Sequence, residues 1–282
     1  MTIILKDIGR LWQLDEDGFL VNDASSEKIV PPYEAVVAVV KETYLKYARD
    51  SIHSIYLRGS IPRGLALEGV SDVDTFAITF GEPPALNLAQ IKAESNAILE
   101  SHPCITKAEF NFFPSAEVIT PHRFSTQGFL IKTQAVCLYG ENLAPQFPNY
   151  RPDKFVANDH LSQIKRDINR AIAEIKSSTD PQNTLYWCRR TMKSIIRSGF
   201  ALVMLDERAY SKDIRLCYEF FIKYFPTQSN NMLRAVELAI EPSSDLVEVL
   251  SLLENLGGWL ITKADEWLER YNPSREIALL LK

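Results

Sequence analysis

YLRGSIPRGLALEGVSDVDTFAI, residues 56–78, decides how the first half of this chain folds. Apolar runs lie at both ends of it, Ile52–Arg58 before the turn and Val73–Phe80 after it. Their β-branched and aromatic residues favour an extended backbone. The stretch therefore reads as strand, turn, strand: an antiparallel hairpin. The turn opens on Gly59 and Ser60, small residues that let backbone N–H groups approach phosphate oxygens closely. The Ser60 hydroxyl offers one more hydrogen bond. Pro62, Arg63 and Gly64 continue the turn, and Arg63 can answer phosphate charge. Asp72 and Asp74 enter the second strand two residues apart, and the period of a strand puts both on one face. Two carboxylates facing one site repel each other unless a cation lies between them. Hard divalent ions suit such oxygens, and Mg²⁺ is commonly shared between carboxylates and substrate phosphates.

Working outward, Pro31 and Pro32 precede a helix over Tyr33–Ala48, where Val36, Val39, Val40, Tyr44 and Tyr47 recur at helical spacing. Pro83 and Pro84 end the second strand. Leu86–Leu99 reads as a helix, and Ile105–Phe113, within CITKAEFNFFP, as a third strand. The order helix, strand, strand, helix, strand predicts a small α/β domain with a mixed sheet. Glu109 lies in the third strand, with Glu117 its nearest rival. If that strand neighbours the Asp72–Asp74 strand, Glu109 completes a three-carboxylate cluster. It could then hold a metal at the attacking end or accept a proton from a hydroxyl. A solvated turn and a strand-edge glutamate are the structural alternatives.

The second half changes character. Asp153–Ser177 is a long amphipathic stretch with Phe155, Leu161, Ile164, Ile168, Ile172 and Ile175 on its apolar face. Residues 183–198, 211–224, 230–240 and 245–271 also read as helices. The expected fold is α+β, a small mixed-sheet domain followed by an all-helical bundle. Its parts are an N-terminal extension over 1–30, a catalytic domain over 31–145 and a helical domain over 146–282. The boundary falls near Gly140–Arg151, where Gly140, Pro145, Pro148 and Pro152 interrupt the pattern. The extension reads as a small hairpin or an extended arm.

The 282 residues carry a formal net charge of −5, which disfavours nonspecific nucleic-acid binding. Cys104, Cys137, Cys188 and Cys217 share no CxxC spacing and read as free thiols of a cytoplasmic protein. No signal peptide or membrane span is expected.

The Gly59-Ser60 turn, the Asp72-x-Asp74 pair and Glu109 resemble the signature of the DNA polymerase β-like nucleotidyltransferase superfamily. Within it the chain is similar to the aminoglycoside adenylyltransferases that modify streptomycin and spectinomycin. KAEFNFF, residues 107–113, resembles the strand bearing that family's general-base glutamate. VCLYGENL, residues 136–143, resembles the segment leading out of the catalytic domain. DPQNTLYWCRRTMKSIIRSG, residues 180–199, resembles a helix whose Asp contacts aminoglycoside and whose Arg contacts nucleotide. Those positions are Asp180 and Arg190 here. YSKD, residues 210–213, resembles a turn whose lysine reaches the triphosphate, here Lys212. The resemblance spans roughly residues 35–225. ALVMLDERAY, between Gly199 and Lys212, looks longer than its counterpart in the family.

The residues also carry plainer readings. Asp180 suits a helix N-cap, Arg190 and its neighbour Arg189 suit surface ion pairs, and Lys212 suits a solvated helix end. Trp187 suits either a core position or a base-stacking platform. The resemblance implies two Mg²⁺ ions, ATP as co-substrate and transfer of AMP to a hydroxyl of a small molecule. The rival readings are a protein or RNA 3′-end acceptor, and a nucleotide sensor or scaffold without catalysis.

Overall fold

A computed structural model describes residues 9–83 and 88–281. The expectations for residues 1–8 and for Pro84 and Leu86 lie outside these. The chain divides into two compact units. One comprises Gln13–Tyr150 with the last residues from Leu280. The other comprises Arg151–Leu279 with the described residues up to Trp12.

The first unit holds a mixed four-stranded sheet, as the hairpin and the third apolar run predict. Helix α1 (Tyr33–Ala48) leads into β1 (Ile52–Arg58), β2 (Val73–Thr79), α2 (Leu88–Ser101), β3 (Ala108–Pro114), the short α3 (Ser115–Val118), α4 (Thr126–Gln134) and β4 (Val136–Gly140). The strand order is β3-β2-β1-β4. β1 is antiparallel to both β2 and β4, and β2 is parallel to β3. A parallel pair needs a crossover connection, and α2 lies in that connection. β4 and α4 are additions to the pattern read from the sequence.

Alternation sorts the strands into two faces. Ile55, Leu57, Val73 and Ala77 join Val36, Val40 and Tyr44 of α1 in one buried cluster. Tyr44 also lies between Phe110 and Phe112, with ring centroids 5.0 and 5.1 Å away. Its hydroxyl accepts from the Asn111 N–H at 2.9 Å and from Thr75 Oγ1 at 3.1 Å. A helix on one face thereby fixes β3 against β2. Burial raises the Tyr44 phenol well above its ordinary value. The opposite face carries Tyr56 stacked on Phe76 at 5.4 Å, and Phe76 edge-on to Phe113 at 6.1 Å. The carboxylates of β2 and β3 belong to this second face.

Residues 13–30 fold with the sheet unit. Leu14 and Leu20 bridge around a turn at Gly18, and Ser25 N–H donates to Pro62 O at 2.8 Å.

The second unit is an all-helical bundle. Its helices are α5 (Lys154–Leu161), α6 (Ile164–Ser177), α7 (Pro181–Ala201), the short α8 (Met204–Glu207), α9 (Ile214–Tyr224), α10 (Ser229–Ile240), α11 (Leu246–Leu252) and α12 (Gly258–Tyr271). A π-helical turn, Leu253–Gly257, joins the last two. Asp153, Asp180, Asp213 and Asp245 each cap a helix by accepting from its first-turn N–H groups. The stretch expected as one helix over 153–177 is two, α5 and α6. Leu161, Ile164 and Ile168 are all buried at one helical spacing, so the apolar pattern runs through the break and cannot reveal it. α7 packs against α5, α6, α9 and α10. At Gly199 a Cβ would meet Met232 Cε at 2.8 Å and Phe221 Cδ2 at 3.0 Å, so the missing side chain lets α7 approach α9 and α10. The buried Asn158 amide donates to Glu276 O and Ile277 O at 3.2 and 2.9 Å and accepts from Asn272 Nδ2 at 2.7 Å. The C-terminal segment is thereby tied to the end of α5. Among the described residues no helix is long and apolar enough to cross a membrane.

Candidate functional site

The sheet register builds the candidate site. Arg58 at the end of β1 is paired with Asp74 in β2, and Asp74 is paired with Glu109 in β3. Three charged side chains thus form one row across three strands. Asp74 and Glu109 sit side by side on the parallel pair β2 and β3. Arg58 reaches both: Nη1 lies 3.4 Å from Asp74 Oδ2, Nη2 3.4 Å from Asp74 Oδ1 and Nη2 3.8 Å from Glu109 Oε2. Lys107 Nζ approaches Glu109 Oε1 at 2.5 Å from the outer side. Partial burial acts to raise the Glu109 pKa, but the positive charges of Lys107 and Arg58 outweigh it and leave Glu109 below the ordinary carboxylate value. Glu109 is therefore an ionised oxygen donor at neutral pH and a weaker proton acceptor than an ordinary glutamate.

Asp72 is half-buried and stands one residue before β2. The pairing continues on both sides of it, since Thr106 N–H donates to Ser71 O at 2.9 Å and Val73 N–H donates to Lys107 O at 2.8 Å. Glu117, the rival of Glu109, is an exposed residue of α3 beyond the strand and outside the row.

Gly59 closes the row from below. Its φ is +90°, and a Cβ there would come to 2.7 Å from Asp74 Oδ2. The carboxylate leans on bare backbone, and the left-handed conformation favours glycine independently. Gly59→Ala is expected to push the Asp74 carboxylate off its seat and to lower nucleotide-dependent activity at least about tenfold. Steady-state rates beside the far-UV circular dichroism of the same sample check this. An alanine variant of normal activity would show that the seat is dispensable.

Ser60 Oγ donates to Ser71 Oγ at 3.2 Å, and Ser71 Oγ accepts from Leu67 N–H at 2.8 Å. These bonds pin both ends of the loop that joins β1 to β2. Arg63 is turned to Asp23, Nε to Oδ2 at 2.7 Å, and both side chains are 13% exposed. Lys28 Nζ donates to Asp23 O at 2.7 Å. The arginine expected to answer phosphate charge thus braces the 13–30 segment against the Gly59–Gly64 turn.

Asp180, Arg190 and Lys212 belong to the helical unit. Asp180 is exposed and caps α7, accepting from Gln182 N–H at 2.9 Å. Arg190 is exposed, donates to Tyr186 Oη at 3.4 Å, and lies 5.9 Å from the Trp187 ring centroid. Trp187 is 9% exposed and is a core residue that also lies under Arg170 at 5.3 Å. Arg189 reaches Ile240 O at 3.4 Å. Lys212 immediately precedes the Asp213 cap of α9, and its carbonyl accepts from Arg197 Nε at 3.3 Å.

Sequence reasoning missed Arg58 and Lys107. Lys107 precedes Glu109 by two residues on the same strand face, so the spacing could have found it. Arg58 joins the row only through antiparallel pairing, which no local spacing reveals.

The donor chemistry of Asp74 and Glu109 fits a divalent cation: Mg²⁺ is usually bound by one or two carboxylates and completes its shell with water and phosphate. Among the described residues no group of three or more His, Cys, Asp or Glu side chains is disposed to hold a metal ion. All four cysteines are free thiols.

No family model matches the chain, and no curated protein matches it. Among solved structures the chain is similar to spectinomycin adenyltransferase AAD(9) from Enterococcus faecialis, determined with ATP and spectinomycin. The identity is 13% and the TM-score 0.44, over 79% of this chain and 99% of that one. The overlap is too loose to carry a function across.

Proposed function

We propose that the chain is a magnesium-dependent nucleotidyltransferase that moves AMP from ATP to a hydroxyl of a small molecule, with an aminoglycoside as the acceptor class. The observation that supports it best is the row Arg58–Asp74–Glu109 beside the Gly59–Ser60 turn. Adjacent carboxylates next to a Gly-Ser turn, whose small residues allow close approach to the backbone, suit a polyanionic donor and the cation that accompanies it.

In this reading the acceptor oxygen forms a bond to the α-phosphorus while the bond from that phosphorus to the β-phosphate oxygen breaks. Pyrophosphate carries away the bonding electrons. Asp74 and Glu109 would hold magnesium, and Asp72 would have to turn toward them to complete a site for two ions, whose Lewis acidity would neutralise charge on the attacking and leaving oxygens. Gly59 and Ser60 seat phosphate oxygens, and Arg190 and Lys212 supply further positive charge to the nucleotide. Asp180 contacts the acceptor, and the formal charge of −5 favours approach of a polycation. Glu109 takes the hydroxyl proton or holds the ion on the attacking side. Its lowered pKa favours the second task, in which the hydroxyl proton passes to solvent water. The cytoplasm, where ATP and free thiols are both at home, is the proposed location.

The test is pyrophosphate release from ATP and Mg²⁺ across spectinomycin, streptomycin, a protein extract and a short RNA, with mass spectrometry of each acceptor. The expected result is release with spectinomycin or streptomycin and a gain of one AMP moiety on that molecule. The same gain on a protein or an RNA would move the acceptor and keep the chemistry. ATP binding by calorimetry without release under any condition would overturn the enzyme in favour of a nucleotide sensor.

A further inference from the structure

We infer that Arg58 is a resident counter-cation of the carboxylate pair, one that a divalent ion must displace before it can use the same oxygens. The inference rests on the nucleotidyltransferase reading above.

Asp74 and Glu109 stand side by side with side chains 17% and 26% exposed. Two carboxylates so placed repel each other unless positive charge offsets them. Arg58 is placed to do this by register, because the pairing of β1 with β2 sets it opposite Asp74 and the pairing of β2 with β3 sets Asp74 beside Glu109. Its two terminal nitrogens divide between the carboxylates, both of them on Asp74 and one also near Glu109. Lys107 is the other cation of the row. Its side chain is 54% exposed and it meets Glu109 on the oxygen away from Arg58.

The guanidinium cannot give up its charge by losing a proton. A divalent cation arriving at Asp74 Oδ2 or Glu109 Oε2 therefore meets a fixed like charge on the same atoms. Asp74 has no room to retreat toward the turn, since Oδ2 already lies against Gly59. Relief comes only if Arg58 swings out, and at 28% exposed it has solvent to swing into. A nucleotide phosphate beside the turn would give the released guanidinium a new partner. Metal and nucleotide then bind cooperatively, and the metal alone binds weakly. Because such competition is reciprocal, removing the guanidinium must tighten the metal.

The probe is Mn²⁺, titrated without nucleotide into the full-length protein and followed by electron paramagnetic resonance of the free ion. Arg58→Gln is expected to bind Mn²⁺ about tenfold more tightly than the parent, within the usual range of coupling between two sites. Arg58→Lys, which keeps the charge, is expected to stay near the parent value. Arg58→Met is a second neutral variant of similar length, and whichever neutral variant folds decides the outcome. Asp74→Asn marks the site and should abolish the tight binding. Neutral variants that bind no more tightly, with Asp74→Asn still abolishing binding in the parent, would overturn the counter-cation and leave the metal site standing. Binding that ignores Asp74→Asn in every background would remove the metal from this row, and the nucleotidyltransferase reading with it.

Discussion

Asp74→Asn is expected to reduce pyrophosphate release by about two to three orders of magnitude, the loss typical of removing one preorganised charged contact from a transition state. The substitution is nearly isosteric. It keeps the shape that leans on Gly59 and removes only the charge. Arg58 still has Glu109, 3.8 Å from Nη2, so the guanidinium is not stranded when its first partner is neutralised. The far-UV circular dichroism spectrum should therefore match that of the parent while the rate collapses. Asp72→Asn is expected to behave alike, because strand alternation carries Asp72 to the face of Asp74. Full activity in either purified variant would sink the assignment of this row as catalytic.

The largest stability effect is expected in the other unit. Phe221 of α9 is fully buried, with ring centroids 5.1 Å from Phe225 and 5.7 Å from Trp259. It also fills the space that Gly199 leaves open on α7. Phe221→Ala would create a cavity where three elements meet, and large-to-small changes of this kind cost about 3–5 kcal/mol. The loss can be read in one unit alone. All four tryptophans, Trp12, Trp187, Trp259 and Trp267, belong to the helical unit, and the sheet unit has none. A urea titration followed by tryptophan emission should show the midpoint fall, while the m-value holds if the exposed surface is unchanged. A midpoint shift worth less than about 1 kcal/mol would mean that α7, α9 and α10 close over the gap.

The limits of the sequence can be stated residue by residue. β1 was legible as Ile52–Arg58 and α1 as Tyr33–Ala48, because each carries enough apolar side chains at its own period to outweigh any alternative. β4 was not legible. Its five residues are half-buried or exposed without alternation, and they form a strand only because β1 offers an edge. α4 was equally hidden, since Gly128, Phe129, Ile131, Thr133 and Gln134 are buried with little amphipathic pattern. The third strand was expected from Ile105 and begins at Ala108, because Cys104 and Thr106 are used to meet the backbone at Gly69 and Ser71 before β3 proper starts.

By itself the sequence determined two architectural classes joined in one chain, and the local chemistry of a Gly-Ser turn and an Asp-x-Asp pair. Period and residue type act within a few neighbours and need no partner strand. Only the tertiary structure decided that Asp74 meets Glu109 through a parallel register, that Arg58 rather than Arg63 reaches the carboxylates, and that Arg63 is held by Asp23. Each of these contacts joins residues 16 or more positions apart. Which charge lies beside which is then fixed by strand pairing and by the cost of leaving a buried charge alone, and neither is written in local spacing.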